Sequence, residues 1–305
     1  MRFVLDEKTR LGLALDSLAG VSVGDALGAQ YFMVGRRAAD LLAGVTPPPV
    51  WEWTDDTEMA CSVVWMLGHA DRVDPERLAE VFAERCEPNR GYGVGAFTIL
   101  RRIRQGATWQ EAAGEAFDGE GSCGNGAAMR VAPVGAYFAD SPARAAREAA
   151  LSAKVTHAHE EGVAGAVAVA VAASHAVAGR LTGQRPKPGH FLDAVLRSTP
   201  EGRVRRLLAK ARRMLHVSNA EAAYELGNGN QVTAQDTVPY TLWAAAKYLA
   251  DYPAAIRACV EVGGDVDTTG AIVGGVVASY TGVDGIPADW LAAREPLPDW
   301  TPARV

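Results

Sequence analysis

The sequence lacks most of the short devices that tie a chain to one chemistry. Its four cysteines, at 61, 86, 123 and 259, form no C-x-x-C pair and no Cys/His spacing of a zinc site. They read as reduced thiols, mostly core residues, of a cytoplasmic protein. Asp6, Glu7 and Lys8 interrupt the N-terminal stretch before an apolar segment can build up, so no secretory signal is expected. The most apolar run, Val163 to Ala178, contains Ser174 and His175, is short for a membrane span, and reads as a buried helix. There is no basic excess either. A net charge of −6 excludes a general electrostatic grip on nucleic acid or an anionic membrane and leaves room only for a local basic site. Period-2 alternation of apolar and polar residues is almost absent, and no solenoid-length repeat stands out.

Several catalytic and cofactor motifs fail in an informative way. Gly119, Gly121 and Gly124 match G-x-G-x-x-G, but the residues before them look helical, so the strand that a dinucleotide fingerprint needs is missing. Ala127 and Ala128 stand where a phosphate loop carries Lys-Ser/Thr, and Glu120 spoils G-x-S-x-G. Asp265-Val266-Asp267-Thr268-Thr269-Gly270 begins like a calcium loop, yet Val276 occupies the position of the closing glutamate. His157 and His159 are too close in sequence to share a helix face, and no H-E-x-x-H is present. Of the two, His157 is the one able to orient a substrate or water, and His159 reads as a surface or cap residue. Cys123 has no evident histidine partner to make it a nucleophile.

What the chain does contain is helical periodicity. Hydrophobic residues make up 49% and charged residues 22%, an ordinary globular balance. Helices are expected over 7–21 and 57–69, from Asp74 onward, and through Phe97, Leu100 and Ile103. More follow over 142–155, 160–178, 190–197, 201–215, 219–226, 237–250, 253–261 and 268–281. The segment from Ile286, with its prolines, is expected to be an irregular strap. Gly20, Gly24 and Gly28 would let another helix or a ligand approach the backbone closely. The expectation is one all-α domain, residues 1–305, whose helices converge on a single cleft.

Two acidic clusters stand out. Trp51-Glu52-Trp53-Thr54-Asp55-Asp56-Thr57-Glu58 reads as a helix start, with Thr54 or Asp55 as N-cap, capping-box spacing between Asp55 and Glu58, and the tryptophans in the core. Asp265, Asp267 and Thr268 follow Gly263-Gly264 at a second helix start. Either cluster alone is explained by capping. Together they supply four carboxylates and two hydroxyls, which suits two hard cations, Mg²⁺ or Mn²⁺, held about 4 Å apart. Between them lies Ser122-Cys123-Gly124-Asn125-Gly126, either a tight packing turn or a loop of free amides able to cradle a diphosphate.

These residues resemble the ADP-ribosylglycohydrolase family. The resemblance covers most of residues 10–282. It rests on Gly24-Asp25-Ala26-Leu27-Gly28, Trp53 to Thr57, Arg90-Gly91-Tyr92-Gly93, Gly121 to Arg130, Thr156-His157 and Gly264 to Thr268 in that order. It implies a compact orthogonal helical fold with a binuclear Mg²⁺ or Mn²⁺ centre, and hydrolysis of the glycosidic bond between ADP-ribose and an acceptor. Thr54, Asp55 and Asp56 would ligate metal from one side and Asp265, Asp267 and Thr268 from the other. Ser122, Cys123, Gly124, Asn125, Gly126 and His157 would contact ADP-ribose, and Asp56 or Asp267 would position or deprotonate the attacking water. Monomer is the default state. The sequence departs from the family at Phe32, where many relatives carry a glutamate; Gln30 offers an amide oxygen but no general base. An ADP-ribose-binding protein without turnover and a two-metal phosphoesterase are the alternatives. Acceptor and metal are left open.

Overall fold

Glycine weakens an isolated helix by about 1 kcal/mol, yet the first helix carries Gly20, Gly24 and Gly28 along one side. A helix from the far end of the chain explains them. In the computed structural model, which describes residues 4–31 and 36–303, a methyl group at Gly24 would lie 2.1 Å from the carbonyl oxygen of Gly270. One at Gly20 would lie 2.2 Å from that of Gly274, and one at Gly28 would lie 2.5 Å from that of Val266. The two backbones touch, which only glycine permits.

Among the described residues there are seventeen α-helices, two short 3-10 turns and no β-structure beyond two isolated bridges. In chain order they are α1 (Glu7–Ala29), α2 (Ala38–Leu42), α3 (Asp55–Ala70), α4 (Pro75–Arg85), α5 (Val94–Arg104), α6 (Trp109–Gly114), α7 (Gly126–Met129), α8 (Ala132–Tyr137), α9 (Pro142–Lys154), α10 (Glu160–Leu181), α11 (Pro188–Ser198), α12 (Arg203–Arg213), α13 (Asn219–Leu226), α14 (Ala234–Lys247), α15 (Tyr252–Val262), α16 (Val266–Thr281) and α17 (Ala288–Ala293). The α1–α16 pair forms the centre, with α3, α8, α10, α14 and α15 packed around it. α1 and α10 are apolar and long enough to cross a membrane, but 78% and 83% of their apolar windows are buried inside the protein. They are core helices, as expected for 163–178.

The fold is all-α as the periodicity indicates, with local differences. α1 runs on through the glycines to Ala29 because α16 supports them. The helical residues expected before Gly119 form α6, whereas α2 and α8 are not expected from the sequence. α7 and α8 are single turns buried almost entirely by their neighbours, so tertiary packing rather than propensity holds them. The strap after Ile286 contains α17, whose Trp290 packs edge-on to Trp51 and Tyr252. Trp51 and Trp53 are buried, as core residues. Phe32, the point of departure from the family, lies outside the described residues. Gln30 is buried at the end of α1.

What matters for function is where helices begin. The first turns of α3, α7 and α16 and the segment leading into α10 all line one cleft. Their positive dipole ends therefore face a common space, which favours anionic groups there.

Candidate active site

The cleft has a volume of about 520 Å³ and two chemically different walls. The acidic wall is built on Asp25, a fully buried carboxylate on α1. Asp25 accepts four hydrogen bonds: from the Thr54 amide (2.9 Å), Thr54 Oγ1 (2.8 Å), the Thr57 amide (3.2 Å) and Thr57 Oγ1 (2.5 Å). It thereby fastens the start of α3 to α1. Thr54 is the N-cap of α3, as one of the two expected choices. The Asp55–Glu58 capping box does not form. Glu58 instead accepts from the Tyr92 hydroxyl (2.6 Å) and the Glu87 amide (3.1 Å), holding the Arg90–Gly93 turn from behind.

Asp55 and Asp56 occupy the first turn of α3 and are buried. Oδ2 of Asp56 lies 3.1 Å from Thr54 Oγ1, whose one proton goes to Asp25, while Asp56 Oδ1 is buried with no hydrogen-bond partner among the described residues. Across the cleft, Asp265 is the N-cap position of α16 and accepts from Asn125 Nδ2 (2.6 Å), which also donates to Thr237 Oγ1 (3.1 Å). Asp267 Oδ1 accepts from the Thr268 amide (2.8 Å). Oxygen atoms of Asp25, Asp56 and Asp267 lie within 4.8 Å of one another. Asp55, Asp56, Asp265, Asp267 and Thr268 all line the cleft, whereas Thr54 sits behind them with its hydroxyl between Asp25 and Asp56.

No salt bridge reaches these aspartates among the described residues. Burial, reinforced by repulsion from neighbouring carboxylates, therefore makes Asp55, Asp56 and Asp267 weaker acids, and burial alone does so for Asp25. Asp25 rises to about 6, burial outweighing its four hydrogen bonds. Asp55 rises to about 8, through burial and then the charge of Asp25. Asp56 and Asp267 are raised well above the usual carboxylate range, first by burial. An all-oxygen donor set, an orphaned carboxylate oxygen and unneutralised negative charge fit a hard divalent cation.

The second wall is the turn from Gly121 to Gly126, and Cys123 lies on it, half-buried. It is smaller as an anion cradle than the sequence suggests, because three of its amides are engaged, that of Gly121 by the Ala116 carbonyl (2.9 Å). Gly124 donates to Ser122 Oγ (3.1 Å) and Asn125 to the Val232 carbonyl (3.2 Å). The amides of Gly126 and Ala127 open α7 and have no partner within the helix. His157 lies against the turn: a methyl group at Gly126 would be 2.9 Å from its ring. Thr156 Oγ1 accepts from Arg130 Nη2 (2.9 Å) and so gives its own proton to His157 Nδ1 (2.7 Å). The imidazole proton is then on Nε2, beside Gly124. His159 is the N-cap of α10, its Nδ1 accepting from the Glu161 amide (3.0 Å).

Burial, and then the charge of Arg130, lower the His157 pKa to about 3. The imidazole is therefore neutral in the folded protein and takes up a proton on unfolding below pH 6.5. Stability attributable to this residue should fall by about 1.4 kcal/mol per pH unit as pH drops below the unfolded value. Denaturant titrations of the wild type and of His157→Gln between pH 7 and 5 check this. The difference between the two should narrow with acidification; parallel curves would show that burial does not hold the ring neutral.

Sequence reasoning missed Asp25 as a site residue, although an aspartate among the small and apolar residues 17–29 was a signal, since burying it is costly. It also missed the wall from Gly91 to Ala96, and Phe117 and Val232 at the rim. Phe117 and Val232 are exposed apolar residues with left-handed backbones, φ 55° and 54°. Nothing in their local sequence marks them.

A sequence profile described as ADP-ribosylglycohydrolase matches residues 6–303. The chain is 29% identical to human ADP-ribosylhydrolase ARH3 over 323 residues, covering 91% of this chain and 88% of that protein. It is 26% identical to the ADP-ribosyl-[dinitrogen reductase] glycohydrolase of Rhodospirillum rubrum over 295 residues, 92% and 89% of the two chains. Among solved structures, an ADP-ribosylglycohydrolase-related protein complex superposes with a TM-score of 0.70 at 26% identity, covering 94% of each chain.

Proposed function

The chain belongs to the ADP-ribosylglycohydrolase family, and on that premise we propose that it is a divalent-cation-dependent hydrolase releasing ADP-ribose from a modified acceptor. The observation that carries the metal dependence is the buried Oδ1 of Asp56, without a hydrogen-bond partner among the described residues, in a group of aspartates that no described arginine or lysine pairs with. Asp55, Asp56 and Thr54 on one side, and Asp265, Asp267 and Thr268 on the other, would hold two cations, Mg²⁺ or Mn²⁺. When bound, such cations supply Lewis-acid charge next to the anomeric carbon.

The chain's own groups supply the rest. The turn from Ser122 to Gly126 and the opening amides of α7 take the diphosphate, helped by the converging helix dipoles. His157 gives its Nε2 proton to a ligand oxygen and, being neutral, adds no charge. Asp56 or Asp267 orients the attacking water and accepts its proton. The remaining carboxylates stabilise the positive charge that develops on the sugar as the glycosidic bond lengthens. Four free thiols suit a reducing compartment, and we place the protein in the cytoplasm.

The deciding experiment offers arginine-, serine- and nucleic-acid-linked ADP-ribose with Mg²⁺, with Mn²⁺ and with EDTA. Release of free ADP-ribose in metal and its loss in EDTA are expected. Release of AMP or phosphate instead would identify a phosphoesterase, and binding of ADP-ribose with every substrate intact would identify a binding protein.

Metal also alters stability in a pH-dependent way. Folded-state carboxylate pKa values raised above 3.8 give stability that is present below the unfolded pKa. That stability is lost as pH rises through about 6 for Asp25 and about 8 for Asp55. The metal-free protein should weaken across that window, where bound cations compensate the charge. The rise in Tm produced by Mg²⁺ over EDTA should thus be larger at the alkaline end than at the acidic end. Equal shifts at both ends would argue that the cluster does not receive the ion.

A further inference from the structure

The negative net charge hides a strong asymmetry. Residues 185–216 hold nine arginines and lysines against two carboxylates, Asp193 and Glu201, so this stretch is +7 in a chain of −6. It folds as the antiparallel pair α11 and α12. A methyl group at Gly189 would lie 2.7 Å from the Arg212 guanidinium at one end, and Arg205 donates to the Thr199 carbonyl (3.0 Å) at the other. Val204, Leu208 and Ala211 bury the inner face of α12 against the body of the protein. Its outer face carries Arg203, Arg206 and Arg213, all exposed and with no ion-pair partner among the described residues.

The acids nearby are already committed. Glu201 pairs with Arg205 (3.0 Å), Asp193 with Arg212 (2.9 Å), and Glu225 with Lys210. Glu161 accepts from the backbone amides of Arg203 and Val204 (2.8 Å) rather than from a side chain. What remains is a row of free guanidinium groups spanning about 15 Å along one helix face. α11 adds exposed Arg197 at one end and Lys187 at the other.

We propose that the outer face of α11 and α12 is a docking surface for the phosphodiester backbone of a nucleic-acid strand. Charge complementarity selects a polyanion. The narrow row, rather than a broad patch, selects a strand over the surface of an acidic globular partner. Seven of the nine basic residues are arginines, whose planar fork matches phosphate oxygens bidentately. The row also starts beside the cleft. The Glu161 carboxylate that holds the first amides of α12 follows His159, which lines the cleft mouth. A strand lying on α12 would therefore bring one end to the site. The docking itself does not depend on the reading of the cleft and is tested without turnover.

The test is fluorescence anisotropy of a labelled single-stranded DNA of about 20 nucleotides with the full-length protein, at about 50 and about 200 mM salt. Binding in the micromolar range at the lower salt is expected, with log K falling against log salt at a slope of about −2 for three phosphates neutralised. The triple variant Arg203→Glu, Arg206→Glu, Arg213→Glu should lose at least about tenfold in affinity, with circular dichroism and Tm unchanged because all three side chains are exposed. Arg101→Glu, an exposed arginine on α5, should bind like the wild type. Absence of binding at the lower salt, binding indifferent to the triple variant, or equal competition by polyglutamate would each overturn the proposal.

Discussion

Replacing Asp56 with asparagine is expected to lower ADP-ribose release by about a thousandfold or more while leaving the metal-free protein as stable as before or more so. The two effects share a cause. The Asp56 carboxylate is buried, its Oδ1 lacks a donor, and Asp25, Asp55, Asp265 and Asp267 repel its charge. Asparagine keeps the shape, cannot ionise and gains a donor, so the melting temperature in EDTA should hold or rise by about 2–4 °C. The same change removes an anionic ligand, so Mg²⁺ should no longer raise the Tm. Product chromatography and paired melts in Mg²⁺ and EDTA read both arms. Wild-type turnover by the variant would remove Asp56 from the mechanism, and a collapse of Tm in EDTA would show that the carboxylate supports the fold rather than burdening it.

The second large effect belongs to a residue with no side chain. Gly24→Ala would place a methyl group 2.1 Å from the Gly270 carbonyl oxygen and 2.6 Å from its carbon, both backbone atoms. The helices must separate, which should cost about 3 kcal/mol or more. Activity should fall further than stability, because α1 carries Asp25 and α16 carries Asp267 and Thr268. Gly12 on the same helix has nothing within 4 Å of where a methyl group would sit. Gly12→Ala should therefore gain about 0.5–1 kcal/mol from helix propensity alone. Denaturant melts of the pair separate close packing from propensity; similar losses in both would mean that α1 tolerates no alanine for a reason other than α16.

The helical class could be read from periodicity because the amphipathic helices, such as α4, α5, α11 and α12, carry their burial pattern in their own sequence. The extents of α7 and α8 could not be read, since fewer than two turns carry no period of their own and both are held by what surrounds them. The two acidic clusters were visible because each is contiguous. Asp25 was visible only as part of a motif; its partners Thr54 and Thr57 lie in another helix, and only the fold shows that it ties them down. The amides of Gly124 and Asn125 looked free because the groups that occupy them, Ser122 Oγ and the Val232 carbonyl, depend on loop geometry and a distant segment. Glu58 likewise looked like a cap and proved to be a brace for Tyr92.

The pairing of α1 with α16 has a consequence for how the protein is made. α1 is an apolar helix whose closest support is formed by residues at the other end of the chain, so residues 30–265 must be synthesised before its glycine face can be covered. At about 5–20 residues per second, the nascent chain exposes that face for roughly ten to fifty seconds. During that time it offers holding chaperones an obvious target. The cleft can exist only once the start of α16 has been synthesised, so a product truncated before Asp265 should lack activity altogether rather than retain a fraction of it.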